Sequence, residues 1–215
     1  MKIELSAVLA GLLVPALTAA QPAPAPAYPA PPAPNRKPSV RIGGEVALLP
    51  LGKLTVASGA DKESFDPVVT VGVGGVLQIP LNDIFTIDFA PRIVFNVKSK
   101  DDTDSATELD LRARLTAGGY VAPNARLYAS LQPGYSFVFT PIDPPPGVEM
   151  STPSGLIFGL GVGGAFRVSP GVHLTSEVGY QFGFQGSKVR ALGQSADLDV
   201  TTSFLHLAAG VLLDL

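Results

Sequence analysis

Three patterns in the sequence predict an all-β fold, an eight-stranded antiparallel up-and-down transmembrane β-barrel. Apolar and polar residues alternate with a period of two through eight stretches, approximately 39–49, 68–79, 84–97, 108–121, 126–139, 155–168, 172–185 and 202–215. The apolar face of these stretches carries no Asp, Glu, Lys or Arg, whereas the other face carries glycine, serine, threonine and charge. The connections alternate in length. "LND" around 81–83, "APNA" at 122–125 and "SPG" at 169–171 are short; 50–67, 98–107, 140–154 and 186–201 are long and polar.

A soluble barrel hides its apolar face and shows its charges, the reverse of this arrangement. Two packed sheets could also hide apolar faces, so polarity alone leaves both open. Short turns at one end and long loops at the other favour the membrane barrel. An even strand count puts both termini of the barrel on the short-turn side. Closure removes any lipid-exposed edge with unpaired backbone groups. Composition agrees: the 215 residues have a net charge of −3 and 15% charged residues. Mean hydropathy is +0.32, with no long apolar run beyond the first twenty residues. The absence of cysteine excludes disulfides, thiolate metal sites, a cysteine nucleophile and a lipid-anchoring cysteine. No basic surplus points to nucleic acid.

The chain opens with "MKIELSAVLAGLLVPALTAA". Lys2, an apolar run and the small pair Ala19-Ala20 read as a secretory signal peptide over 1–20, too short for a transmembrane helix, which needs about 20 apolar residues. Residues 21–38, "QPAPAPAYPAPPAPNRKP", form a Pro/Ala-rich tether. Each proline removes a donor and fixes its own φ, so a semi-stiff spacer is expected, up to about 55 Å long at roughly 3.1 Å per residue. The barrel occupies 39–215. In its seventh stretch, Val172, Leu174, Val178, Tyr180, Phe182 and Phe184 face one way and His173, Thr175, Glu177 and Gln181 the other. Phe95, Tyr135, Phe137, Phe139, Phe158, Tyr180, Phe182 and Phe184 gather near the long-loop end of the apolar face, with Phe85 and Phe166 near the other, as two interfacial girdles would. Pro91 and Pro133 fall mid-strand and imply bulges, since each deletes a ladder hydrogen bond.

On these features residues 38–215 resemble the small eight-stranded outer-membrane barrels of the OmpA transmembrane-domain and OmpX-like kind. The tail "HLAAGVLLDL" places Gly210, Leu213 and Leu215 in a spacing similar to that family's C-terminal assembly signal, with Leu at the aromatic end and Ala208 where a polar residue is usual. The resemblance implies residence in the outer membrane of a Gram-negative-type bacterium. It also implies contact with outer-membrane lipid and lipopolysaccharide, and recognition of the C-terminal strand by the barrel-assembly machinery. No peptidoglycan-binding domain of the kind longer members carry is expected.

Residues 159–164, "GLGVGG", match G-x-G-x-x-G, but a dinucleotide turn needs a helix after the glycines, and here a turn and another strand follow. Gly159, Gly161 and Gly163 instead share the lumen face, as do Gly72 and Gly74, leaving room for charges from neighbouring strands. Gly164 faces outward with no evident reason. The lumen charges Arg41, Glu45, Asp88, Arg92, Asp110, Arg112, Arg114 and Glu177 divide evenly by sign and are expected to form a salt-bridged plug. No catalytic residue, cofactor or metal is expected. His206 with Ser136 or Ser154 and Glu108 is a conceivable hydrolytic set without a motif behind it; His173 lies near a short turn. Asp101, Asp102 and Asp104 read as a solvated loop, with a loose divalent-cation contact as the alternative. The expected role is non-enzymatic, structural or interaction-based, with an extracellular partner at the long loops. The alternatives are a lipid-modifying hydrolase, a narrow gated ion channel and a soluble periplasmic ligand-binding barrel.

Overall fold

The computed structural model describes residues 39–59, 61–98, 105–139, 147–191 and 194–215. The chain divides into two units, Met1–Arg36 and Lys37–Leu215, and every described residue lies in the second. The signal-peptide and tether expectations, and the Asp101, Asp102 and Asp104 loop, concern residues outside the described set.

The strands are β1 (Arg41–Ser58), β2 (Asp61–Phe65), β3 (Thr70–Pro80), β4 (Phe85–Phe89), β5 (Arg92–Val97), β6 (Ala106–Ala122), β7 (Ala125–Phe139), β8 (Val148–Met150), β9 (Ser154–Ser169), β10 (Val172–Ala191) and β11 (Gln194–Asp214). They close into an antiparallel ring of eight staves: β1, β3, β4 with β5, β6, β7, β9, β10 and β11, the last pairing back onto β1. Each predicted stretch is one stave. Large apolar side chains on every stave stand exposed on the outer surface, from Ile42 and Leu48 through Ile87 and Leu115 to Leu156 (66% exposed) and Leu213. Soluble monomers rarely expose a contiguous apolar patch larger than a few hundred Å². A belt around the whole circumference therefore calls for lipid as its solvent.

The three short turns use local chemistry. The Asn82 side chain accepts from the backbone N–H of Ile84 and of Phe85, both at 2.8 Å. Pro123-Asn124 joins β6 to β7, and Pro170-Gly171 joins β9 to β10 with Gly171 at φ +77°, which favours glycine. At the other end the connections depart from the expected loops. β1, β10 and β11 run on past the apolar belt, and with β2 and β8 at the edges they form a crown of strand order β2-β1-β11-β10-β8. Residues 50–67 and 186–201 are thus largely hairpin arms. Polarity inverts where the belt ends: beyond Phe184 the outward positions of β10 are Lys188 and Arg190, paired with Asp197 and Ser195 of β11, and all four are exposed. Leu54, Val56, Leu198 and Val200, on the inner side, are half-buried.

The prolines correct a second expectation. The ladder is interrupted at Ala90-Pro91, but β4 and β5 keep one register across it, against β3 throughout and against β6 as far as Val94, and Pro91 O still accepts from Gly75 N at 3.1 Å. Pro133 pairs in register with Phe158, again without a bulge. Proline lacks only the donor; its carbonyl continues the ladder. The register shifts fall elsewhere: between Val94 and Val97, Tyr120 and Ala122, and Val172 and His173, and, around Pro50, between Leu48 and Leu51. The extra residue resets the alternation, so that Leu49 points inward (2% exposed) while Leu48 and Leu51 both face out.

Candidate functional site: the charged lumen

The lumen is assembled from the polar face of every stave. On β6 the alternation sets Glu108, Asp110, Arg112, Arg114 and Thr116 in one inward row. Glu45 of β1 lies across the barrel and receives Arg112 Nη2 on one oxygen and Arg114 Nη1, at 3.0 Å, on the other. Arg114 Nε also donates to Asp88 of β4 at 2.7 Å. Arg112 Nη1 reaches Gln132 of β7 at 2.9 Å, and Gln132 Nε2 donates to Glu177 of β10. Glu177 also hydrogen-bonds Nε2 of His206 on β11 at 3.1 Å. One continuous web therefore ties β1, β4, β6, β7, β10 and β11 together. Beside it, Arg92 of β5 donates through Nη2 to Asp110, at 2.6 Å, and to Gln181 of β10, also at 2.6 Å. Nearer the outer end, Gln185 Nε2 donates to Glu108 at 2.9 Å and to Ser136 at 2.7 Å.

Of the eight charged residues expected in the plug, all but Arg41 lie buried in this interior. Arg41 sits at the inner rim, where Asp214 accepts from its Nε at 2.8 Å and hydrogen-bonds His173 Nε2 at 3.1 Å. This clasp joins the end of β11 to β1 and β10. Glu108 completes the β6 row although the sequence reading did not place it in the plug; its parity with Asp110 carried the signal. The bridging glutamines Gln132, Gln181 and Gln185 were legible as polar-face residues, but their role depends on which charges face them.

Gly161 and Gly72 make the space for charges that was expected of the lumen glycines, whereas Gly159 faces Gln132, Gly163 faces Tyr128 and Gly74 faces the backbone at Pro91 and Arg92. A Cβ on Gly161 would stand 2.8 Å from Ser130 Oγ and 2.9 Å from Glu177 Oε1, and one on Gly72 would stand 2.7 Å from Arg92 Cδ. The outward Gly164 also gains a reason: the Phe166 ring, 3.0 Å from where its Cβ would be, covers the gap together with Leu127. Apolar side chains contribute to the lumen as well. Ala47, Leu49, Val94 and Phe204 form one buried cluster, and Val76, Ala90 and Leu212 another, so the interior is not polar throughout.

The conceivable hydrolytic set is not brought together. His206 is engaged by Glu177, and Ser136 by Gln185 in the cluster that holds Glu108. Ser154 accepts from the Tyr135 hydroxyl at 3.1 Å, a contact exposed on the outer surface.

No family model matches the sequence, and no curated protein sequence is significantly similar to it. Solved structures do match in fold. The outer membrane protein OprG from Pseudomonas aeruginosa superposes with a TM-score of 0.50 at 13% identity, covering 81% of this chain and 96% of its own. The outer membrane protein AlkL, solved in lipid bilayers, gives 0.48 at 14% identity over 87% and 96%. Neisserial surface protein A gives 0.46 at 14% identity over 82% and 97%. At such identities the likeness speaks for the fold alone, and OprG carries it.

Proposed function

Because the chain is an eight-stranded transmembrane β-barrel with the fold of the small outer-membrane barrels, we propose that it is a non-enzymatic integral outer-membrane protein. In this reading its lumen is plugged by its own side chains, and it acts structurally or through the crown at its outer end. The observation that carries the reading is the lumen web. Arginine–carboxylate pairs, bridging glutamines and two apolar clusters span the interior between facing staves. An eight-stranded barrel is only wide enough for side chains to fill it. Buried ion pairs are costly to separate once formed, with a penalty of roughly 3–5 kcal/mol when one partner is removed. The separation of His206 from Ser136 and Ser154 supports the non-enzymatic part. Lipopolysaccharide and outer-membrane lipid at the belt, the assembly machinery at the C-terminal strand and an extracellular partner at the crown are the partners this role implies. Single-channel recording in planar bilayers tests the plug. Brief or no openings are expected; steady open currents would exclude a sealed lumen and favour the gated-channel reading.

A further inference from the structure

The arginines of the lumen and its rim meet carboxylates. Arg92 pairs with Asp110, Arg112 with Glu45, Arg114 with Glu45 and Asp88, and Arg41 with Asp214. Arg126 of β7 differs. It is only 6% exposed, yet no carboxylate pairs with it among the described residues. Its Nη2 donates to the backbone oxygen of Ile84, and its Nε is buried with no hydrogen-bond partner among the described residues. A buried charge without a counter-charge is costly.

The ladder around Arg126 supplies no acid. Its direct and diagonal neighbours are Tyr120, Gly118 and Ala122 on β6, and Ala165, Gly163 and Arg167 on β9. The last of these is a second cation. Diagonal neighbours on one face stand about 7–8 Å apart, a span that two long side chains close around one group. Arg167 is half-buried, and its Nε donates to Ser169 O at 3.4 Å. Directly across from it on β10 is His173, whose ring is engaged by Asp214. Asp214 is shared with Arg41, so the acid of this rim is already held from two sides. The other acid at this end, Asp83 in the turn between β3 and β4, is exposed and pairs with neither arginine.

We propose that Arg126 and Arg167 form a binding site for one phosphate group at the short-turn mouth of the lumen. Two guanidinium forks without carboxylates of their own suit a phosphate, whose several oxygens accept from both at once. Arg126 is the second residue of β7 and Arg167 the third from the end of β9. The site therefore lies within roughly 7 Å of the strand ends at about 3.4 Å per residue, open to that side and remote from the crown. A free phosphate and a lipid headgroup share this chemistry, and the test separates them.

The full chain, refolded in phosphate-free maltoside micelles, tests this through its unfolding midpoint, read as the gel-mobility shift on heating. Midpoints are compared in sodium phosphate and in sodium chloride of equal ionic strength. In a second arm, without free phosphate, micelles with and without phosphatidylglycerol are compared. Phosphate should raise the midpoint by about 3 °C or more. Arg126→Gln and Arg167→Gln should each remove most of that rise, and Arg190→Gln, in the crown, should keep it. If Arg126→Gln does not refold, Arg167→Gln and Arg167→Glu carry the comparison. A rise with phosphatidylglycerol alone, lost in the same variants, supports the site and makes a lipid headgroup its source. Phosphate also strengthens apolar burial in general, so a rise that survives in the Arg126 and Arg167 variants is that salt effect and overturns the proposal. Equal midpoints in both arms overturn it too.

Discussion

At position 161 a hydrogen stands where any other residue would place a carbon, and the neighbouring Ser130 hydroxyl and Glu177 carboxylate occupy the difference. The choice of glycine there follows from its neighbours across the ladder and not from backbone conformation. Gly161→Leu would push an isobutyl group into the hydrogen-bonded web around Glu177 and separate it from Gln132 or His206. Overpacking and a broken buried pair together should cost more than about 3 kcal/mol, so the heat-modifiable folded band should be lost on refolding; normal yield of that band would contradict the packing role. The sequence showed that this glycine shares a face with other lumen glycines, because alternation is local. It could not show that Glu177 fills the space, because Glu177 reaches it through pairing of β9 with β10. His206 is similar: its lumen face was legible, and its partnership with Glu177 was not.

At the scale of the strand, two forces set length separately. The apolar belt sets the membrane-spanning part, and hydrogen-bond partners beyond it decide whether a strand continues. β10 and β11 stay paired from Val172↔Leu213 to Ala191↔Gln194, although the outward residues of β10 change from aromatic to charged beyond Phe184. The expected loop at 186–201 came from reading loss of apolar alternation as loss of strand. Replacing 187–198 with a two-residue Asn-Gly turn should therefore leave a barrel that folds, within about 1 kcal/mol of the parent per lost edge contact, because the belt and lumen web lie below the cut. A mobility-shift gel of the shortened chain checks this; failure to form the folded band would mean that the crown is part of the folding unit. Pro91 and Pro133 teach the converse. A missing donor was read as a bulge, but each proline keeps register with its neighbours, and a bulge falls instead at Pro50, where Leu48 and Leu51, three residues apart, both face out.

For the molecule as a whole, polarity inside and out decides where it can exist. Membrane fractions extracted with salt should retain the protein, and detergent should release it in a form that migrates differently before and after boiling. Recovery as a soluble periplasmic species without a mobility shift would contradict the lipid-facing belt. The sequence by itself determined the number of staves, their two faces, the end that carries the short turns and most of the charges that enter the lumen. All of these follow from a period of two and from turn residues, properties that neighbouring residues settle among themselves. The tertiary structure alone decided which charges meet. Glu45 and Arg112 are 67 residues apart, and Gln185 and Glu108 are 77 apart. It also decided that Arg41 leaves the plug for the rim and that Glu108 meets the Gln185 amide. Those outcomes depend on stagger between staves and on reach across a closed ring, and no stretch of sequence contains both sides of the ring at once.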